Sequence, residues 1–569
     1  MDCAIASLLL LLLLIFFLFP EPSIPAALPD LASCLRLSGV HNFSVEKNTP
    51  FYDRILCFSI QNRRFSTPRL PRPAAIILPD DLPSLRASVL CCRAASLTIR
   101  LRSGGHSYEG LSYLASGGAP FALLDLMSLH RVEVDAAAGT AWLQSGATLG
   151  QLYHAVSTAD SPTPLAFSAG SCPTVGSGGH IAGGGFGLLS RKYGLAADNV
   201  LDAVLVSPDG RFIDRAVMGE DLFWAIRGGG GGTWGAVYAW KLQLQSVPNQ
   251  VSAFALNRAG SNRHLAGLID AWQKAAPALP DEFYLSCFVG GSLPESGRAG
   301  MSTTFKGLFL GPSRKARSIL ADRFPELGLQ EWEIREMSWI ESVVYFSGLK
   351  NDSTVDDLLD RELHEKTFFK GKSDYVRTHV GLPDLIRMVT LLSTEPKAYL
   401  IMDPYGGAMA RRHANDLPFP HRAGNLYAIQ HLIQWSEDED GGREGYLRWL
   451  HQWYEFMGPL VSNGPRAAYV NYLDLDLGYT NWTTTTTKGS RDPVEDSRVW
   501  GERYYLVNYD RLVQIKTNID PTTCFGMSRA FRRCRRAIVS QGITMHKIKM
   551  LVGGVIKEHS AVWRDGNGL

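Results

Sequence analysis

No two of the nine cysteines stand as a Cys-x-x-Cys pair. Nothing in the chain therefore reads as a zinc framework, and no metal is expected. An excess of one charge is lacking too. Fifty-seven Lys and Arg face 55 Asp and Glu, a net charge of +2. That balance excludes an electrostatic nucleic-acid footprint and a disordered chain. No internal repeat is visible. After Phe19 no second long apolar run occurs, so stable membrane insertion is not expected.

At the start, Leu8 to Phe19 is unbroken apolar sequence, followed by Pro20 and small residues near Ala26-Ala27. It is short for a span and fits a signal peptide over residues 1–27, with a signal anchor as the alternative. Sequons at Asn42, Asn351 and Asn481 suit a secreted product. The expected destination is extracellular, in wall or apoplast, with vacuole or endomembrane vesicles as the alternative. In such an oxidising compartment Cys34 can staple to Cys91 or Cys92. The adjacent pair cannot both reach one partner, which leaves one of them buried and free.

Glycine is abundant in two stretches. Residues 170–187 contain Gly170, Gly176, Gly178, Gly179, Gly183 and Gly184, with Cys172 among them and His180 beyond. Upstream, Arg102-Ser103-Gly104-Gly105-His106-Ser107-Tyr108-Glu109-Gly110 has one imidazole at its centre. Runs of glycine let backbone N–H groups crowd against a bulky anion such as a pyrophosphate. Two such loops, each with one nucleophile, point to a cofactor held at two places. Alone, His106 would read as a loop histidine bonded to backbone and Cys172 as a small buried hydrophobe.

At 569 residues the chain is too long for one core. A lead-in over 28–67 ends at a proline-marked linker. Short strands are predicted at 74–79, 97–102, 121–126, 140–144, 200–206 and 237–242, with helices at 80–95, 148–157 and 221–226. From about 250 the texture changes. Helices at 261–274 and 444–457 and strands at 286–289, 303–310 and 426–432 read as an antiparallel sheet backed by helices. Thr483 to Thr487 reads as an exposed loop. The fold class is α+β.

Five blocks carry a resemblance: residues 102–113, Cys-Pro-Thr-Val-Gly at 172–176, Arg-Lys-Tyr-Gly-Leu-Ala-Ala-Asp-Asn-Val at 191–200, Glu-Asp-Leu-Phe-Trp-Ala-Ile-Arg-Gly-Gly-Gly-Gly at 220–231, and Tyr-Val-Asn-Tyr-Leu-Asp-Leu-Asp-Leu-Gly at 469–478. In this order they resemble the berberine bridge enzyme-like family of plant FAD-linked oxidases. The resemblance implies a PCMH-type FAD-binding domain of two subdomains over 68–247 and a substrate domain over 248–465. A C-terminal segment over 466–526 would return to the FAD domain, leaving an atypical tail over 527–569. It further implies covalent FAD, with His106 on the 8α-carbon and Cys172 on C6. Loops 103–107 and 176–185 would hold the pyrophosphate, with Arg102 and Val175 beside them. Cys34 would pair with Cys91. Tyr472 would be the catalytic base, Gln430 would face the ring, and Tyr108 would wall the site.

The chain also departs from the family. Ala428 stands where many members carry lysine, and Phe186 where many carry tyrosine. Without a cation near it, Tyr472 is expected to stay near its ordinary pKa of about 10, as a weak base with an alkaline-shifted rate profile. Val175, a small branched residue where a leucine is associated with oxygen exclusion, implies an oxidase. The expected reaction removes a hydride from an alcohol carbon of an oligosaccharide or phenolic alcohol, or less readily from an amine, and passes electrons to O2 to give H2O2. The partners are therefore a small-molecule substrate and molecular oxygen. A flavin-containing wall or surface binding protein with little catalysis is the second reading. Past Pro521 the family's ending is missing and a basic, then apolar, tail follows. It reads either as a polyanion- or membrane-binding extension or as an alternative reading of the gene, and the abrupt stop favours the latter. Nothing in the sequence fixes an oligomeric state.

Overall fold

The computed structural model describes residues 30–115, 120–297, 299–362, 365–478 and 493–525. The expected signal peptide, the sequon at Asn481, the threonine-rich loop at 483–487 and the tail at 527–569 lie outside the described residues.

Strands β1 (Phe43–Ser44), β2 (Ala75–Ile77), β3 (Thr98–Arg102) and β4 (Phe121–Asp125) form a first sheet in the order β1-β2-β4-β3. Both β2 and β3 run parallel to β4, and parallel neighbours need a crossover. The helix Leu82–Ala94 follows β2 and leads to β3. Asp81 caps it by accepting from the Ser84 N–H, and Ser84 returns the contact in a capping box. Its Leu85, Val89 and Cys92 face is fully buried. A disulfide joins Cys91 on this helix to Cys34 on the helix Leu31–Leu37, and Cys92 remains a buried thiol.

A second sheet contains β5 (Val132–Asp135), β6 (Thr140–Gln144), β8 (Val200–Val206), β9 (Phe212–Ile213) and β10 (Ala236–Gln243), in the order β5-β6-β10-β8-β9 and antiparallel throughout. The short β7 (Leu165–Ala166) pairs with β11 (Gln245–Ser246). The helix predicted at 221–226 begins earlier, at Arg215. Gly219 interrupts it with a φ of +69°, which hides the first turn from a periodicity reading.

The third sheet is the largest. Its strands are β12 (Val251–Ala259), β13 (Phe283–Gly290), β14 (Ser302–Phe309), β15 (Arg335–Met337), β16 (Phe368–Val376), β17 (Ala398–Pro404) and β18 (Tyr427–Trp435), ordered β15-β12-β14-β13-β17-β18-β16. Each pairing is antiparallel. Helices cover one face: Trp272 donates to the Leu285 carbonyl at 2.8 Å and Trp453 to His431 Nδ1 at 3.0 Å. The two-residue period and the register turn Tyr284 and Phe288 of β13, Ile401 and Asp403 of β17 and Gln430 of β18 to the other face. β16 escaped the sequence reading, because Lys370, Lys372 and Asp374 give it three buried charges.

The chain then returns to the first two sheets. Tyr505 donates to the Gly229 carbonyl at 3.0 Å, and the Ile99 N–H of β3 donates to the Cys524 carbonyl at 2.8 Å. Among the described residues no helix is long and apolar enough to cross a membrane. Asn42 and Asn351 are exposed.

Candidate functional site

A cavity of about 550 Å³ lies between the two glycine loops, the open face of the third sheet and residues 469–473. Each wall has a local reason. The glycine loops touch backbone to backbone: a Cβ on Gly104 would lie 2.2 Å from the Gly176 nitrogen, so neither side tolerates a side chain. Arg361 holds the first loop from outside, donating to the Gly146 carbonyl at 2.9 Å and the Ser103 carbonyl at 3.4 Å.

Ser103, Gly104, Gly105, His106 and Ser107 reach the cavity from the first loop. Cys172, Val175, Gly176, Gly178, Gly179 and His180 reach it from the second. The two candidate attachment residues share a neighbour that the sequence reading passed over. Thr174 Oγ1 lies 2.9 Å from His106 Nε2 and 3.6 Å from Cys172 Sγ. Burial pushes the Cys172 thiol up and lowers His180 to about 4. His180 Nε2 accepts from the Gly170 N–H at 3.1 Å, a neutral-ring role.

Three residues expected at the cofactor do not line this cavity. Arg102 is fully buried, pairs with Asp125 at 2.6 Å and donates to the Ile55 and Leu56 carbonyls. Gly183 gives room to Asn471, whose Oδ1 would lie 1.9 Å from an added Cβ, and Gly184 backs onto Phe419. A glycine needed for chain packing looks the same in sequence as one needed for a ligand.

Tyr108, Gln430 and Tyr472 do share the cavity. Gln430 Nε2 donates to the Tyr108 hydroxyl, and the Tyr108 and Tyr472 rings stack with centroids 5.2 Å apart. Gly371 makes space for the first ring, since a Cβ there would meet it at 2.8 Å. Next to these tyrosines in sequence stand members of a largely buried ion cluster. Lys370 Nζ is 2.5 Å from Glu109 and 2.7 Å from Asp474, and Lys372 Nζ is 2.7 Å from Asp474 and 2.6 Å from Asp476. Glu109 adjoins Tyr108, and Asp474 is two residues past Tyr472, so the lysines fix both tyrosines.

The expectation that Tyr472 keeps a pKa near 10 does not hold. Burial raises it well above that value, and Tyr108, Asp403, Tyr469 and Tyr284 push the same way. Ala428 lies opposite Asp403 in the β17–β18 register. Phe186 stacks on Tyr405 at 5.4 Å and adds no hydrogen bond from its ring. Tyr284 donates its hydroxyl to Asp403, whose carboxyl burial raises to about 6.

The donor set suits an anionic, polyhydroxylated cofactor. Arg100 Nη1, Ser112 Oγ and Ser145 Oγ line the cavity and are buried without a protein partner. Such donors are costly unless a ligand satisfies them. Among the described residues no group of three His, Cys, Asp or Glu could hold a metal.

Known proteins give the same frame. A family model described as an FAD binding domain matches residues 73–215, and one described as berberine and berberine like matches residues 468–530. Berberine bridge enzyme-like D-1 of Nicotiana tabacum is 49% identical over 539 residues, covering 91% of this chain and 94% of its own. Reticuline oxidase of Eschscholzia californica is 44% identical over 500 residues, covering 87% and 90%. A solved variant of berberine bridge enzyme in complex with (S)-reticuline matches with a TM-score of 0.83 and 43% identity, over 88% of this chain and 98% of that one.

Proposed function

The chain belongs to the berberine bridge enzyme-like family of FAD-binding oxidoreductases, and from there we propose a secreted oxidase whose FAD is attached through both His106 and Cys172. One observation carries this reading: both nucleophiles border one cavity and contact the same Thr174 hydroxyl. Arg100, Ser112 and Ser145 would satisfy the cofactor's polar groups. Bound FAD supplies a hydride acceptor and, once reduced, electrons for O2.

The protein's own part is to seat a hydroxylated substrate against the third sheet. Tyr108, fixed by Gln430, and Tyr472, fixed by the Lys370 cluster, would orient the substrate oxygen. Phe288 and Ile401 give apolar walls that exclude water. Val175, on the second glycine loop, would leave a path for oxygen. The substrate class is an alcohol, an oligosaccharide or phenolic alcohol in particular. Secretion is supported by the Cys34–Cys91 disulfide, which suits an oxidising compartment.

The test begins with colour. Purified protein should be yellow and should keep its flavin through acid precipitation. His106→Ala and Cys172→Ala should each leave a single attachment, and the double variant should release the flavin. Anaerobic bleaching by sugars and phenolic alcohols, then peroxide on admitting air, tests the reaction. Colourless protein, or flavin released by acid from the wild type, defeats the proposal.

A further inference from the structure

Six acidic residues are buried as whole residues among those described: Glu109, Asp125, Asp374, Asp403, Asp474 and Asp520. Five have a cation. Glu109 has Lys370, Asp125 has Arg102, Asp374 has Arg466, Asp474 has both Lys370 and Lys372, and Asp520 has Lys516. Such pairing is what burial of a charge requires. Asp403 breaks the rule. Among the described residues its donor is the Tyr284 hydroxyl, and no Lys, Arg or His forms an ion pair with it.

Asp403 also differs in what it faces. Apart from two histidines, it and Arg100 are the charged side chains on the cavity wall, and Arg100 belongs to the first sheet, away from the substrate face. Across the strand pairing is Ala428, which offers no polar group. The titratable groups around it are all phenols: Tyr284 from β13, Tyr405 just past its own strand, and Tyr472 from the C-terminal segment. Each is held protonated by burial, so none of them is a base at neutral pH. A carboxylate accepts up to about four hydrogen bonds, and this one has a single donor. Among the described residues its other lone pairs have no side-chain donor.

Resting on the oxidase reading above, we infer that Asp403 is the proton acceptor of the reaction, with Tyr284 as the residue that positions its carboxylate. In the balanced step the substrate O–H bond breaks and its proton bonds to a carboxylate oxygen of Asp403. The C–H electron pair leaves with its hydrogen as hydride to bound FAD, and a C=O bond remains. Tyr472 then serves as a hydrogen-bond donor to the substrate oxygen, a role its raised proton affinity suits.

Anaerobic stopped-flow reduction of flavin-loaded wild type, Asp403→Asn, Tyr284→Phe and Tyr472→Phe, across pH 5 to 10, tests this with oligosaccharide and phenolic alcohol donors. Asp403→Asn should reduce flavin about 100-fold or more slowly and lose the acid limb near pH 6. Tyr284→Phe should move that limb to higher pH, because its hydroxyl stabilises the carboxylate. Tyr472→Phe should slow the reaction and keep the limb in place. A second readout needs no turnover: the infrared carboxylic-acid band of the resting wild type should titrate near pH 6 and be missing in Asp403→Asn. Should that variant fail to fold, the shifted limb and shifted band of Tyr284→Phe decide. Equal rates in wild type and Asp403→Asn, or an unmoved limb in Tyr284→Phe, overturn the inference alone. A wild type that no donor bleaches overturns the oxidase reading and the inference with it.

Discussion

Thr174 Oγ1 stands 2.9 Å from His106 Nε2, across the seam between two loops that are 68 residues apart in sequence. The same hydroxyl is 3.6 Å from Cys172 Sγ. One small side chain therefore sets the orientation of both candidate attachment groups. Replacing Thr174 by Val keeps the shape and removes that contact. Covalent incorporation of FAD should slow by about tenfold, the worth of one well-placed hydrogen bond. Mass spectrometry of the flavinylated peptides over time measures it, and Thr174→Ser should restore the rate.

The Lys370 cluster makes a prediction about stability. Replacing Lys370 by Met leaves Glu109 buried without its ion-pair partner and Asp474 with Lys372 alone. The expected loss is about 3–5 kcal/mol, the usual cost of breaking a buried pair. Denaturant unfolding would show it as a lower midpoint. Activity of the surviving fold should also fall, since Tyr108 and Tyr472 lose a common anchor.

Asp403 ties stability to acidity in a stated direction. Its carboxyl goes from an ordinary 3.8 to about 6 in the folded chain. The folded state thus holds a proton that the unfolded state releases, and this contribution is complete below about pH 4. It is lost as pH rises from 3.8 through about 6, amounting to about 3 kcal/mol. Melting temperatures of wild type and Asp403→Asn should diverge over that window, with the variant gaining relative to wild type as pH rises. Parallel curves would contradict the environment described for this group.

Val175 offers a kinetic prediction. Val175→Leu should leave reduction by substrate nearly unchanged and slow reoxidation in air by about tenfold or more, since one added methylene narrows a close-packed path. Mixing reduced protein with oxygenated buffer measures it.

Much of the site was legible in sequence where the signal is local. Loop glycines flanking one histidine or one cysteine announce themselves, and so do the helices at 80–95 and 148–157, which Asp81 and Thr148 close with capping boxes in the structure. Arg102, Gly183 and Gly184 pack against other parts of the chain and not along the cavity, because the loops that hold a ligand also hold each other. Asp403 had no local signal. Its meaning comes from a phenol 119 residues away and from an alanine across the strand pairing. The lysines of β16 were invisible for the same reason: their partners arrive from residues 109, 474 and 476.

Pairing of the Ile99 N–H with the Cys524 carbonyl, together with the docking of Tyr505 on Gly229, has a consequence for biogenesis. The chamber's floor is laid early in translation and its final wall very late. Until the last helices settle, Gly229 and Ile99 lack these partners and the chamber would stay open on that side. Pigment retained by a preparation would then certify that each molecule had been finished to its closing turns.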